Sequence, residues 1–144
     1  AFAGVAVYAL AALVLSDALA DPVHEVVDGR FGDLVGGVLA LAGAGLALYS
    51  QIYMGLSWRI GAASGELGTI VRTGPFGLSR NPVFVGQGML FVGLAFALPN
   101  LIQLALTFVL IAAVHLQVRI EEQVLNRDLG AEYQTYCREV RRWI

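Results

Sequence analysis

The longest stretch of the sequence without a charged residue is "NPVFVGQGMLFVGLAFALPNLIQLALTFVLIAAVHLQV", residues 81–118. A single helix of this length would exceed the roughly 30 Å of hydrocarbon in a bilayer, which about 20 helical residues span. Pro99 and Asn100 divide the stretch into halves of similar length. Proline lacks an amide proton and disfavours a helical conformation in the residue before it. The stretch therefore predicts a hairpin of two membrane helices, 82–98 and 101–118.

Two more charge-free blocks, 1–16 and 34–58, predict further membrane helices at 2–19 and 34–57. Of the 144 residues, 58% are hydrophobic and only 14% are charged, which is too little charge for the surface of a soluble domain of this size. We therefore expect an all-α, polytopic integral membrane protein with four transmembrane helices in a single membrane domain, 1–144.

Two details of the N-terminal blocks affect their interpretation. A cleaved signal peptide is the alternative for residues 1–20, although no basic segment precedes the apolar one. The glycines of "GGVLALAGAG", residues 36–45, have small-xxx-small spacings. Such spacings favour close packing between membrane helices rather than ligand binding.

The distribution of arginine predicts the orientation in the membrane, because all nine basic residues are arginine. Arg59, Arg72 and Arg80 follow the second predicted helix, and Arg119, Arg127, Arg138, Arg141 and Arg142 follow the fourth. An even number of crossings separates these two regions, so they share a side, and their arginine excess marks it as cytoplasmic. The connection 17–33 has five acidic residues and one arginine, which suits the opposite side. No basic stripe is present that could neutralise nucleic acid phosphates, so no nucleic acid partner is expected.

Cysteine and histidine form no metal-binding pattern in the sequence. Cys137 is the only cysteine, and His24 and His115 lie far apart without an HExxH-type partner. We therefore expect neither an internal disulfide nor a metal ion. His115 is interpreted as a polar residue satisfied inside the helix bundle, with a role in chemistry as the alternative.

Two polar segments are candidates for function. The first, 58–82, is glycine-rich, contains a turn at Gly74 and Pro75, and ends where a helix begins. Glycine lets a backbone approach a ligand closely, and a helix N-terminus presents free amides. The alternative is an interfacial loop whose arginines meet lipid headgroups.

The second polar segment, 118–144, has apolar residues at helical spacing and two acidic residues near the membrane exit. The apolar residues, spaced by three, four or seven, are Val118, Leu125, Leu129, Tyr133, Tyr136 and Val140. The segment is predicted to form an amphipathic helix that folds back on the bundle or lies on the membrane surface. Glu121 and Glu122 flank this stripe, and a carboxylate near hydrocarbon is costly unless it is paired or binds a cation. They are therefore expected to pair with Arg80 or Arg119, or to hold a cationic group.

In their order and spacing, these elements resemble the isoprenylcysteine carboxyl methyltransferase family and its relatives, the phospholipid N-methyltransferases and the bacterial thiol methyltransferases. The residues that carry the resemblance are Gly74-Pro75-Phe76, Arg80-Asn81-Pro82-Val83-Phe84, Glu121-Glu122, Leu125, Leu129-Gly130, Tyr133 and Tyr136. The resemblance covers residues 68–142. The first two predicted helices match only in being apolar.

The resemblance implies an integral membrane methyltransferase that uses S-adenosylmethionine and releases S-adenosylhomocysteine. The acceptor would be a lipophilic or small molecule with a carboxylate, thiol or amine. Residues 1–58 would form an N-terminal helix pair and residues 59–144 the cofactor-binding half, facing the cytoplasm. We expect the protein in a bacterial or archaeal cytoplasmic membrane, with the lipid bilayer and the acceptor as its partners. The sequence does not indicate an oligomeric state.

The resemblance also implies roles for individual residues. The cofactor would contact Gly68, Thr69, Ile70, Val71, Phe76, Asn81, Pro82, Val83 and Phe84. Glu121 would receive the amino group of the cofactor by its spacing from Gly130, whereas the apolar stripe places Glu122 nearer the bundle, so both are candidates. Arg80 would order the loop or bind the carboxylate of the cofactor. Arg80, Asn81 and Glu121 form the predicted catalytic group.

Two residues depart from the family pattern. Asn81 stands where the family usually has histidine, and an amide can donate and accept hydrogen bonds but cannot titrate. A histidine base at that position is therefore excluded. Gln117 stands where eukaryotic members have an arginine that meets the substrate, and Arg119 could take over that contact. Gln117 and Arg119 are the predicted substrate residues.

Three other functions remain open from the sequence. A small transporter usually carries an ionisable residue inside a span. Here the charge-free blocks offer only His115, Gln87 and Gln103. A non-catalytic membrane protein, including a degenerate member of the same family, is the second alternative. A sterol-reductase-like membrane enzyme with a nicotinamide cofactor is the third.

Overall fold

The computed structural model describes residues 29–55 and 70–144. Within these residues the chain forms helices and no strand. The helices are α1 (Gly29–Met54), α2 (Pro75–Leu78), α3 (Pro82–Ala97), α4 (Leu101–Leu129) and α5 (Ala131–Glu139). The all-α fold class is therefore confirmed for the described part of the chain. The predicted helix at 2–19 lies outside it.

Two of the described helices are long and apolar enough to cross a membrane, Arg30–Met54 and Leu101–Leu129. Both expose large apolar side chains, such as Leu41 and Phe108, which are each 77% exposed. Such surfaces suit contact with lipid. Helix α3 is also apolar but has only 16 residues. The described helices thus provide two candidate spans, where the sequence predicted three within the same residues.

Helix α1 differs from the prediction of 34–57 at both ends. It begins at Gly29 and so includes Arg30 and Asp33. It ends at Met54, where Gly55 takes the left-handed conformation, with φ at 55°. The predicted start was wrong because charged residues mark the edge of an apolar block, whereas a helix can continue through them. The predicted end was wrong because the backbone conformation of Gly55 ends the helix inside the apolar block.

The turn between α3 and α4 confirms the prediction at Pro99 and Asn100. Helix α3 ends at Ala97 and α4 begins at Leu101. The Asn100 side chain accepts a hydrogen bond from the Gln103 amide at 2.7 Å. Asparagine thereby satisfies one of the free amides at the start of α4, as an N-cap residue does.

Helix α4 continues to Leu129, so the predicted end at 118 was wrong. Its 29 residues have a length of about 44 Å, which exceeds the roughly 30 Å of hydrocarbon. The charged part therefore continues as helix beyond the apolar part. Gly130, with φ at 52°, ends the helix, and the predicted amphipathic segment 118–144 is divided there into the end of α4 and the separate helix α5.

Contacts divide the chain into two compact units. Of the described residues, the first unit contains 29–44 and 87–112, and the second contains 45–55, 70–86 and 113–144.

In the first unit, α1 and α3 pack with their backbones in direct contact. A Cβ atom added to Gly36 would lie 2.4 Å from the Ala97 nitrogen and 2.6 Å from the Gly93 oxygen. A Cβ atom added to Gly93 would lie 2.4 Å from the Ala40 nitrogen. Real side chains do not approach a backbone this closely, so glycine is required at both positions. The prediction that the small residues of 36–45 serve helix packing is confirmed for Gly36 and Ala40.

Candidate functional site

The candidate site lies in the second unit and begins with the turn before α2. Gly74 has φ at 59°, a conformation that glycine adopts at little cost. A Cβ atom added there would lie 2.6 Å from the ring of Tyr53. The Tyr53 hydroxyl is also 2.9 Å from the Thr73 hydroxyl. The aromatic ring therefore packs on the turn, and the glycine of the Gly-Pro pair is needed twice, for its conformation and for its size.

Helix α5 holds α2 in place through a buried hydrogen bond. Phe76 of α2 is 6% exposed, and its carbonyl oxygen accepts a hydrogen bond from the Tyr136 hydroxyl at 2.7 Å. Burial raises the pKa of Tyr136 to about 12, so the hydroxyl stays protonated and remains a donor. Burial also raises the pKa of Tyr133, and the negative charge of Glu122 adds to this effect. Both tyrosines of the stripe are thus buried, uncharged packing residues of α5.

The residues after α5, which we call the C-terminal tail (residues 140–144), lie against the segment that precedes α3. The Arg80 amide donates to the Arg141 carbonyl oxygen at 2.9 Å. The carbonyl oxygen of Arg142 accepts two further hydrogen bonds, from the Ser79 hydroxyl at 3.3 Å and from the Asn81 side-chain amide at 3.1 Å. The backbone of the tail is therefore fixed to the three residues that lead into α3.

A buried carboxylate stands at the centre of this arrangement. Glu122 on α4 forms an ion pair with Arg142, whose Nη2 lies 2.7 Å from Oε2 and whose Nε donates to Oε1 at 3.1 Å. Arg80 Nη1 lies 3.6 Å from Oε1, and Asn81 Nδ2 donates to the same oxygen at 3.5 Å. We call Arg80, Asn81, Glu122 and Arg142 the Glu122 cluster. The side chain of Glu122 is only 11% exposed, and these partners offset the cost of burying its carboxylate.

The Glu122 cluster carries more positive than negative charge, because two guanidinium groups surround one carboxylate. The hydrogen bond to Glu122 raises the pKa of Arg142, which therefore stays charged. Arg80 also contacts the sulfur of Cys137. Its Nε is buried without a hydrogen-bond acceptor among residues 29–55 and 70–144. The cluster is thus suited to a ligand that has both an anionic and a cationic group.

The structure brings together three of the predicted site residues, Arg80, Asn81 and Glu122, and places Glu121 elsewhere. Glu121 is exposed and accepts a hydrogen bond from Gln117 at 3.0 Å. Gln117 and Arg119, the predicted substrate residues, are exposed on α4 as well. Neighbouring side chains on a helix point about 100° apart, which explains why the two glutamates differ.

The other predicted cofactor residues are apolar and at least half-buried where the structure describes them. Phe76 and Pro82 are buried, and Ile70, Val71, Val83 and Phe84 are partly buried. Gly68 and Thr69 lie outside the described residues. Of the whole predicted set, Arg80, Asn81 and Glu122 are the residues whose contacts with one another define the Glu122 cluster.

Sequence reasoning missed Ser79, Cys137 and Arg142. In the sequence, Arg142 contributes only to the predicted orientation, although the need of a buried glutamate for a partner could have suggested its role. The Gly130 break was the obstacle, because a continuous helix through 118–144 would carry Arg142 well away from Glu122.

The described residues form helices, two of which are long and apolar enough to cross a membrane, and a buried ionic cluster surrounds Glu122 on α4. These features suit a membrane-associated protein with a candidate ligand site. The family described as Phospholipid methyltransferase matches residues 32–132. The chain belongs to the phospholipid methyltransferase family, a family of membrane methyltransferases. This confirms the resemblance found from the sequence. No similar curated protein and no similar solved structure was found.

Proposed function

We propose that this protein is a membrane methyltransferase that uses S-adenosylmethionine and releases S-adenosylhomocysteine. The observation that carries the proposal is the Glu122 cluster. Arg80, Asn81 and Glu122 belong to the pattern that resembles this class of enzyme, and all three fall inside the family match. Arg80 and Asn81 are consecutive in the chain, and both contact Glu122, which comes from a distant part of it.

The amino acid end of the cofactor fits the charges of the Glu122 cluster. Its amino group and its carboxylate are attached to the same carbon atom, so the protein groups that bind them must lie close together. The Arg80 guanidinium and the Glu122 carboxylate are 3.6 Å apart. We assign Arg80, with its unused Nε donor, to the cofactor carboxylate and Glu122 to the amino group.

Glu121 remains the alternative partner for the amino group. It is exposed, and its side chain accepts a hydrogen bond from Gln117. If Glu121 bound the amino group, the cofactor carboxylate would need a partner other than Arg80. The variants Glu121→Gln and Glu122→Gln separate the two assignments, because only the variant of the true partner should weaken cofactor binding strongly.

The rest of the cofactor would be bound by apolar contacts and main-chain groups. We propose that Ile70, Val71, Phe76, Pro82, Val83 and Phe84 contact its adenosine part, together with Gly68 and Thr69. These side chains are at least partly buried where the structure describes them. Apolar surfaces with a few polar groups are typical of small-molecule sites.

The residues of the site support chemistry by positioning rather than by proton transfer. When bound, S-adenosylmethionine supplies a methyl group on an activated sulfonium. Asn81 holds Glu122 and the tail by hydrogen bonds and cannot act as a base at neutral pH. Orientation of the reacting groups can supply much of a rate enhancement, up to roughly 7–11 kcal/mol in well-aligned cases. A carboxylate or thiolate acceptor needs no base, and an amine acceptor would have to arrive neutral.

The acceptor would be lipophilic or small and would reach the site near the polar end of α4. We propose that Gln117 and Arg119, which are exposed there, contact its polar group. We further propose four membrane crossings, formed by 2–19, α1, α3 and α4. Residues 59–144 would form the cofactor-binding half on the cytoplasmic side of a bacterial or archaeal membrane. The arginine distribution supports this orientation.

The proposal is tested by measuring S-adenosylhomocysteine formation from S-adenosylmethionine with detergent-purified protein. Lipophilic thiols, carboxylates and amines serve as acceptors in separate reactions. We expect acceptor-dependent product formation by the wild type and its loss in Glu122→Gln. Product formation that persists at the wild-type rate in Glu122→Gln would contradict the assigned site, and no product with any of the three classes would contradict the proposed reaction.

A further inference from the structure

We propose that the C-terminal tail completes the candidate cofactor site and that Arg142 is a positioning residue for it. The inference rests on the proposed function, because it assigns the tail a role toward the cofactor. Arg142 would fix the Glu122 carboxylate through its side chain and Asn81 through its carbonyl oxygen. The family match ends at residue 132, so the tail lies beyond the part of the chain that the match covers.

The backbone of the tail is attached to the residues that immediately precede α3. Arg141 and Arg142 accept three hydrogen bonds through their carbonyl oxygens, from the Arg80 amide, the Ser79 hydroxyl and the Asn81 side-chain amide. Ser79 is 3% exposed and Asn81 is 9% exposed, so these bonds are formed away from water. Two of the donors belong to residues assigned to the cofactor. A displaced tail would therefore leave Asn81 without its 3.1 Å acceptor.

The other end of the tail is attached to α4. The ring of Trp143 stacks on His115, with ring centroids 6.1 Å apart and planes inclined by 24°. Arg142 is thus held between two anchored neighbours. Its guanidinium can pair with Glu122 without the large loss of conformational freedom that an unanchored segment would suffer on ordering.

The geometry of the ion pair fixes the carboxylate but leaves room for a ligand. Arg142 binds both oxygens of Glu122, at 2.7 and 3.1 Å, and such a forked contact defines the plane of the carboxylate. A carboxylate offers about four acceptor positions, so this contact uses about half of them. The remaining contacts, from Asn81 at 3.5 Å and Arg80 at 3.6 Å, are long. A cationic amino group could therefore join Glu122 while Arg142 stays in place.

The charge of Arg142 also balances the burial of Glu122. The Glu122 side chain is 11% exposed, whereas that of Arg142 is 39% exposed. A buried carboxylate without a partner of opposite charge is costly to remove from water. Arg142 thus offsets the burial of Glu122, from a position that does not itself need to touch the cofactor.

The test compares two ligands on three variants of the full chain purified in detergent. S-adenosylhomocysteine has the amino acid end, and 5′-methylthioadenosine keeps the adenosine and the thioether but lacks that end. The variants are Arg142→Gln, Arg142→Lys and the control Arg138→Gln. Arg138 is exposed on α5 and has no ion pair within the described residues, so its variant removes the same charge at a distance from the cluster.

We expect Arg142→Gln to weaken S-adenosylhomocysteine binding about tenfold, the equivalent of one charged hydrogen bond. Binding of 5′-methylthioadenosine should not change. Arg142→Lys should give an intermediate affinity because an ammonium group cannot form the forked contact. Arg138→Gln should bind both ligands as the wild type does. Arg142→Gln retains the pairing of Glu122 with Arg80, and its melting temperature verifies that it is folded.

Three outcomes would overturn the inference. Equal weakening of both ligands by Arg142→Gln would show general damage rather than an effect on the amino acid end. Unchanged or tighter binding of S-adenosylhomocysteine would show that Arg142 is dispensable or competes with the cofactor. If the folded wild type bound neither ligand, the proposed function itself would fail, and the role of the tail would fail with it.

Discussion

Arg142 and Glu122 form a forked ion pair between the C-terminal tail and α4, with their closest atoms 2.7 Å apart. The pair joins two parts of the sequence that a continuous helix would have kept apart. Gly130 makes it possible, because its left-handed conformation ends α4 and lets the chain return along it as α5. The site is therefore formed by the C-terminal tail together with the residues before α3.

The two adjacent glutamates are expected to differ in their effect on stability. Glu122→Gln leaves Arg80, which is only 13% exposed, near an uncharged amide. Breaking a buried ion pair by removing one partner costs roughly 3 kcal/mol or more. Glu121→Gln changes an exposed residue and should alter the free energy of unfolding by less than about 0.5 kcal/mol. Denaturant titration of both variants in the same detergent measures the difference, and equal effects would show that Glu122 is not the buried partner.

The contact between α1 and α3 can be tested with two glycines of the same helix. Gly93→Ala would place a Cβ atom 2.4 Å from the Ala40 nitrogen, and this overpacking should destabilise the protein by about 1–3 kcal/mol. Gly88→Ala is the matched control, because a Cβ atom there meets nothing within 4 Å. It should be neutral or stabilising by up to about 1 kcal/mol, the difference in helix propensity. If Gly93→Ala melted at the same temperature as Gly88→Ala or at a higher one, the close packing of α1 and α3 at Gly93 would be ruled out.

The turn before α2 should not tolerate a side chain. Gly74→Ala combines a positive φ with a Cβ atom 2.6 Å from the Tyr53 ring, so we expect a loss of about 2 kcal/mol and weaker cofactor binding. Gly37→Ala is the control, since a Cβ atom there has open space. Thermal unfolding and calorimetry on both variants make the comparison. A Gly74→Ala protein as stable as Gly37→Ala would mean that the turn has another conformation.

Alkaline pH should weaken the packing of α5. The pKa of Tyr136 is about 12 in the folded chain and 10.0 in its unperturbed state. The unfolded chain therefore loses this proton first, and the stability contributed by Tyr136 is full below pH 10.0 and declines as pH rises towards 12. Tyr136→Phe should reduce the slope of stability against pH in this range without abolishing it, because the pKa of Tyr133 is raised too. If Tyr136→Phe left the slope of stability against pH unchanged, the Tyr136 hydroxyl would not be buried as described.

The sequence predicted the apolar helices well because their signal is local. Charge-free blocks, Pro99 and Asn100 are sufficient to place α3 and α4, and the Asn100 cap adds a local reason for the start of α4. The end of α4 among charged residues was predicted poorly, at 118 instead of Leu129. There the apolar stretch ends before the helix does, and the helix ends at Gly130, whose φ is 52°.

Part of the site could be predicted and part could not. Arg80 and Asn81 precede an evident helix start, and a pair of glutamates near hydrocarbon indicates an ionic site. The choice between the glutamates depends on which face of α4 is buried, and one residue changes that face by about 100°. The partnership with Arg142 depends on the turn at Gly130 and on hydrogen bonds that the Ser79 hydroxyl and the Arg80 amide donate to carbonyl oxygens of the tail. These contacts cannot be read from spacing in the sequence.

The most direct test of the account is a calorimetric titration of S-adenosylhomocysteine into the detergent-purified wild type, beside Glu122→Gln and Glu121→Gln. The account predicts saturable binding to the wild type at one site, its loss in Glu122→Gln and its retention in Glu121→Gln. If the folded wild type did not bind S-adenosylhomocysteine, or bound a nicotinamide cofactor instead, the assignment of this chain as an S-adenosylmethionine-dependent enzyme would be contradicted.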